Sequence, residues 1–87
     1  MLATIKSLIE KDIPGATVHV LDPHRDGVHL QALVISDRFD GMSRVKQHRL
    51  VMTPLKASFD DASVHALALR TFTPGQWETE QGQFDLT

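Results

Sequence analysis

Ala16-Thr17-Val18-His19-Val20-Leu21-Asp22-Pro23-His24-Arg25-Asp26-Gly27-Val28-His29-Leu30-Gln31-Ala32-Leu33-Val34-Ile35-Ser36 is the stretch that decides the fold. Ala16 to Leu21 and Val28 to Ser36 are rich in β-branched and aliphatic residues, the composition of strands. Asp22 to Gly27 joins them, is short and ends in Asp-Gly, so the two strands are expected to pair as an antiparallel hairpin.

Toward the N-terminus, Leu2, Ile5, Leu8 and Ile9 recur at helical spacing between Lys6, Glu10 and Lys11, an amphipathic helix that Pro14-Gly15 ends. Toward the C-terminus, Asp37 to Gly41 is a turn and Ser43 stands where a helix N-cap would, its hydroxyl able to accept from a free backbone N–H. Val45, Leu50, Val51 and Leu55 supply the apolar positions of the helix that follows. Pro54 lacks an N–H, so two short helices or one bent helix are expected there. Asp60-Asp61 closes this region, and Val64 to Phe72 reads as a third strand. Thr73-Pro74-Gly75-Gln76 opens a last helix, with Thr73 as N-cap, Pro74 at the first position and Gln76 completing a capping box, and Trp77 anchors that helix to the core.

The order is helix, strand, strand, helix or helix pair, strand, helix. A chain of 87 residues buries only roughly 60–65% of its unfolded surface, which supports one core and one domain. Residues 1–80 are assigned to it, with 81–87 as a polar, loose tail. Hydrophobic residues at 41% and charged residues at 23% are ordinary for a folded globular chain. Lys6, Glu10, Lys11 and Asp12 interrupt the N-terminal apolar residues, which excludes a signal peptide or membrane span and makes the cytoplasm the expected compartment.

A formal net charge of −2 removes the global positive field expected of a protein that grips nucleic acid through phosphates. Any basic patch is local, and Arg44, Lys46, His48, Arg49 and Lys56 provide one. Arg44 and His48 lie four apart, on one helix face. Such a run serves phosphates or an acidic partner, or is a solvated face, the commoner meaning. The serines stand in no Gly-x-Ser-x-Gly elbow, Gly27, Gly41 and Gly75 are isolated, and no phosphate-cradling run exists, so no catalytic constellation is present in the pattern.

The unusual feature is five histidines and no cysteine. The chain can form no disulfide, no nucleophilic thiolate and no thiolate-ligated site of its own. His19, His24, His29, His48 and His65 form no helical metal pair, though an all-histidine site assembled from distant positions stays open. His65 alternates with Leu67 and Leu69, and on that pattern reads as a core-edge histidine bonded to backbone ahead of a ligand. His24 and His29 read as members of a solvated loop, and His19 and His48 as exposed positions on a strand and a helix.

Phe39-Asp40-Gly41-Met42-Ser43-Arg44-Val45-Lys46-Gln47-His48-Arg49-Leu50-Val51 resembles the signature of the BolA family, Phe-x-Gly-x-Ser before a basic Arg/Lys-x-His-Arg helix. Val64-His65-Ala66-Leu67-Ala68-Leu69, followed by Thr71-Phe72-Thr73-Pro74-Gly75-Gln76-Trp77, resembles that family's His-Ala-Leu strand and Thr-Pro-x-x-Trp closing helix, in the same order and separation. The resemblance implies an α+β, class II KH-like fold with a three-stranded sheet packed against helices. It also implies a non-catalytic module that pairs with a monothiol glutaredoxin around a shared [2Fe–2S] cluster, in iron–sulfur assembly, trafficking or iron sensing.

In that reading His65 matches the ligand histidine of the His-Ala-Leu block. The second ligand comes from the loop between the first two strands, where His29 is preferred and His24 is its rival, since Asp26-Gly27-Val28-His29-Leu30-Gln31 is similar to the short-loop branch of the family. A histidine-containing [2Fe–2S] centre takes two histidines and two cysteines, so this chain supplies half of the donors, and a partner cysteine and a glutathione thiol supply the rest. The free chain is then a monomer or weak homodimer. Gly41-Met42-Ser43-Arg44 departs from the Gly-x-x-Gly clamp of KH domains, so RNA binding is not inherited with the fold. Some relatives are described as DNA-binding regulators of stress response or cell morphology, and the basic helix Arg44, Lys46, His48, Arg49 keeps that as the alternative.

Overall fold

The computed structural model describes residues 2–59 and 66–84. Helix α1 (Leu2–Asp12) is followed by strands β1 (Thr17–Leu21) and β2 (Leu30–Ile35), a 3₁₀ turn (Asp37–Phe39), helix α2 (Arg44–Ser58), strand β3 (Leu67–Phe72), helix α3 (Pro74–Glu80) and a second 3₁₀ turn (Gln81–Gln83). This is a mixed α+β architecture, and its order is compatible with the KH-like arrangement that the resemblance implies.

The sheet runs β1-β2-β3. The pair β1 and β2 is antiparallel, Thr17 opposite Ile35 and Leu21 opposite Gln31, as the hairpin reading requires. The pair β2 and β3 is parallel, Leu30 opposite Leu67 and Ile35 opposite Phe72. Parallel neighbours cannot be joined by a tight turn, and α2 lies in the crossover between them.

Because β2 is central it is covered on both faces, which is why Leu30 to Ile35 reads as an apolar run without strict alternation. Leu30, Ala32 and Val34 join Ile5 and Ile9 of α1, Ile13 just after it, and Val51 and Leu55 of α2 in the main core. Leu33 and Ile35 point the other way and meet Phe72, with Leu21, Trp77 and Phe84 packed around them. Trp77 thus seats α3 on the second face as expected.

Helix α1 presents Ile5 and Ile9 inward, and Ile13 just past its end continues the four-residue spacing, its N–H donating to the Ile9 carbonyl at 2.9 Å. The chain then reverses through Gly15, whose φ of +88° is inexpensive only without a Cβ. Ser43 caps α2 by accepting from the Lys46 N–H at 3.3 Å. Thr73 and Gln76 form the expected capping box, with bonds of 3.3 and 3.0 Å.

Four boundaries or positions differ from the expectations. Strand β2 begins at Leu30 rather than Val28, because the N–H groups of Val28 and His29 donate to the Asp26 carboxylate instead of entering the ladder. Pro54 lies inside a single helix and starts no second one, so the two-helix alternative is not seen, and Val51 and Leu55 on either side of it are both fully buried. Val45 faces solvent at 61% exposure, while Gln47 takes the buried position of that turn at the spacing 47, 51, 55. Residues 81–84 include the second 3₁₀ turn, and Phe84 stacks on Trp77 with ring centroids 5.8 Å apart, so this part of the expected tail is packed. Val64 and His65 lie outside the described residues, and β3 is seen from Leu67.

Candidate functional site

The loop joining β1 to β2 is built on two carboxylates. Asp22 Oδ1 accepts from the Asp26 N–H at 3.2 Å and Asp22 Oδ2 from the Gly27 N–H at 2.9 Å, while the Arg25 N–H donates to the Asp22 carbonyl at 3.1 Å. Wrapping the chain this tightly puts Gly27 at φ +69° and Arg25 at φ +55°, a conformation that glycine adopts freely and arginine only when held. Asp26 Oδ1 then accepts from the Val28 and His29 N–H groups at 2.8 and 2.9 Å, and its Oδ2 lies 2.7 Å from His29 Nδ1.

That pairing sets the electrostatics of the loop. The His29 side chain, and after it the N–H groups of Val28 and His29, hold the Asp26 carboxyl well below its ordinary value of 3.8. Asp26 is therefore an anion throughout the neutral range. The His29 side chain remains 65% exposed, with Nδ1 occupied by the carboxylate. His24 is also exposed, its ring centroid 6.0 Å from that of His29 and the planes at 86°. Beside the loop is a cavity of about 400 Å³ walled by Asp22, Pro23, Arg25, Gln31 and Phe84.

The structure brings His24 and His29 together and connects this loop to the start of β3. The Leu30 N–H donates to the Ala66 carbonyl at 3.2 Å, so the residue following His29 is bonded to the residue following His65. His65 itself lies outside the described residues. Among the described residues no three His, Asp or Glu side chains converge as a metal site, and the chain has no cysteine. The donor chemistry fits a terminal imidazole ligand to a group whose remaining ligands come from another molecule. It does not fit a site complete within the described part of this chain.

The other histidines have other duties. His19, expected to be exposed, is half-buried: its register partner is Leu33, which places it on the second face of the sheet, where its ring stacks on Trp77 at 5.6 Å and 24°. His48 is likewise half-buried, on α2, and burial, helped by the positive charge of Arg44, pushes its imidazole below the ordinary 6.5. Arg44 and His48 do share a face. With Val45, Arg49, Met52 and Lys56 they line an open groove of about 380 Å³, whereas Lys46 is exposed elsewhere on the helix. The first turn of α2 is at the far end of β2 and β3 from the histidine loop, since Gln47 reaches Thr71.

Asp22 and Asp26 are the site residues that the sequence reading did not single out. The available signal was the spacing Asp26-Gly27-Val28-His29, an aspartate three residues before a histidine across a glycine turn.

Fold and loop together define a small α+β domain that offers imidazole and carboxylate donors but no thiol. The chain belongs to the BolA family: the family model described as BolA-like protein matches residues 4–76. It is 34% identical over 77 residues to the acid stress protein IbaG of Escherichia coli K12, covering 88% of each chain. A bolA protein homologue from Coxiella burnetii superposes with a TM-score of 0.72 at 32% identity, over 90% of this chain and 96% of that one. The BolA domain of SufE1 from Arabidopsis thaliana gives 0.67 at 29% identity, over 85% and 92%. No described helix is long and apolar enough to cross a membrane.

Proposed function

We propose that this protein is a non-catalytic BolA-like adaptor that shares a [2Fe–2S] cluster with a monothiol glutaredoxin, acting in iron–sulfur cluster assembly, trafficking or iron sensing. The observation that carries the reading is the histidine loop. A carboxylate orients His29, and the residue after His29 is hydrogen-bonded to the residue after His65. His29 and His65 are the two donors from this chain, with His24 the rival for the loop position. The partner's cysteine and a glutathione thiol complete the set, which accounts for a ligand-bearing protein with no cysteine. That a BolA domain is found as one part of SufE1 supports a module that works alongside another protein.

Mixing the chain with a monothiol glutaredoxin, iron, sulfide and glutathione is expected to give a coloured heterodimer whose visible spectrum changes in His65→Ala. A spectrum and stability unchanged in that variant would sink the reading.

The exposed basic side chains of α2 support a second reading, DNA binding by a regulator of stress response or cell morphology. Arg44, Lys46 and Arg49 are exposed, and Arg44, His48 and Arg49 share one groove. That reading requires binding that weakens steeply with salt and is reduced by replacing Arg44, Lys46 or Arg49. No binding at low salt removes it.

A further inference from the structure

His24 and His29 are both exposed and their rings lie 6.0 Å apart, so exposure does not choose between them. Their surroundings do. An ionised carboxylate can only accept a hydrogen bond, so with Asp26 Oδ2 at 2.7 Å the proton resides on His29 Nδ1, and the neutral ring carries its lone pair on Nε2. This is the arrangement that metal-ligating histidines ordinarily use. The second ring N–H is given to a carboxylate, which fixes tautomer and ring orientation and raises the basicity of the ligating nitrogen.

Asp26 is itself immobilised. Its other oxygen accepts from two backbone N–H groups, and its own N–H and that of Gly27 are held by Asp22. The ring is thus aimed by a rigid relay from the end of β1 through Asp22 and Asp26. Among the described residues no carboxylate is paired with His24.

We propose that Asp26 is a positioning residue that commits His29, through Nε2, to be the donor this loop gives to the shared cluster. The proposal rests on the reading of the chain as a cluster-sharing adaptor, and it settles the choice within the loop. Replacing Asp26 by asparagine separates the positioning role from a merely structural one. An amide oxygen still accepts from Val28 and His29, while the amide NH₂ turned toward Nδ1 donates to it and drives the ring proton to Nε2. The loop is kept and the ligating lone pair is lost.

The first measurement needs no iron. A long-range ¹H–¹⁵N correlation spectrum of the apo chain at pH 8 should show His29 protonated at Nδ1 in the wild type and at Nε2 in Asp26→Asn, with the Val28 and His29 amide signals in place. The wild-type tautomer decides the matter even where a variant disturbs the loop: an Nε2–H His29 overturns the proposal. The second measurement follows loss of the visible bands of the reconstituted glutaredoxin complex to a chelator. Asp26→Asn and His29→Ala should each lose the cluster about 10-fold or more faster than wild type, the usual lower range for removing such a partner, and His24→Ala should not. Loss in His29→Ala with wild-type retention in Asp26→Asn overturns the positioning role and leaves His29 as ligand. Wild-type retention in His29→Ala overturns the ligand assignment itself, and the proposal with it.

Discussion

Gln47 Oε1 accepts a 2.6 Å hydrogen bond from Thr71 Oγ1, and the same side-chain amide donates through Nε2 to the carbonyls of Phe39 and Met42 at 3.2 and 2.9 Å. One buried residue of α2 therefore ties together β3 and the turn that launches its own helix. A buried polar group costs stability unless it is paired, and here both N–H directions and one lone pair of the amide are used.

Gln47→Leu keeps the volume and removes the bonds. It leaves the Thr71 hydroxyl and the Met42 carbonyl without this partner, while the Phe39 carbonyl keeps the Met42 N–H, and should cost about 1–3 kcal/mol, the penalty of stranding buried polar groups. Urea unfolding is the measurement, read as a lower midpoint at unchanged slope. A midpoint equal to wild type would mean that water takes over these bonds.

Phe84 packs edge-on against Phe72 at 6.0 Å and stacks on Trp77, and the Arg70 guanidinium lies 5.6 Å from its ring centroid. Truncation after Gln83 should cost about 1–2 kcal/mol, from half-burial of one aromatic ring and its pair contacts. Thermal unfolding checks this. A truncated chain as stable as the full one would show these contacts to be energetically idle.

The sign of the pH dependence at His48 is set by burial first and Arg44 second, both of which favour the neutral ring. Below 6.5 the unfolded chain binds a proton that the folded chain resists, so this group takes stability away as pH falls from 6.5 and is without effect above it. An NMR titration of the His48 ring should give a midpoint below 6.5. Arg44→Gln should raise that midpoint but leave part of the depression, because desolvation persists. A midpoint at the ordinary value would contradict the half-buried position.

Asp26 has the same sign in a lower pH window. Its carboxyl is depressed in the folded loop, so its contribution is present above the ordinary 3.8 and is lost as pH falls through the lower folded value. The Val28 amide proton shift, which reports on the bond to Asp26 Oδ1, should show its carboxylate inflection well below 3.8. An inflection at 3.8 would mean that the carboxylate is free in solution.

Most of the element order was legible because it rests on local chemistry. The capping box at Thr73 and Gln76, the Ser43 cap, the Pro14-Gly15 stop and the Asp-Gly hairpin each depend on residues within a few positions of one another. Errors fell where a distant partner decides. Gln47 takes the inside place expected of Val45, and Thr71, 24 positions away, supplies a bond that makes a glutamine acceptable there. His19 is drawn out of solvent because Trp77 folds over the second sheet face. No local pattern carries either fact.

The same division runs through the candidate site. The sequence by itself determined that this chain brings imidazoles and no thiol, so that any iron–sulfur role needs thiols from elsewhere, and its paired motifs pointed to the family. Only the tertiary structure decided that His29, and not His24, is aimed by a carboxylate, and that the residue after it is bonded to the residue after His65. Donor identity is a property of composition. Donor orientation is a property of a loop wound around Asp22 and of a parallel register 37 positions long in sequence, from Leu30 to Leu67, and chain pairing at that range is fixed only when the sheet closes.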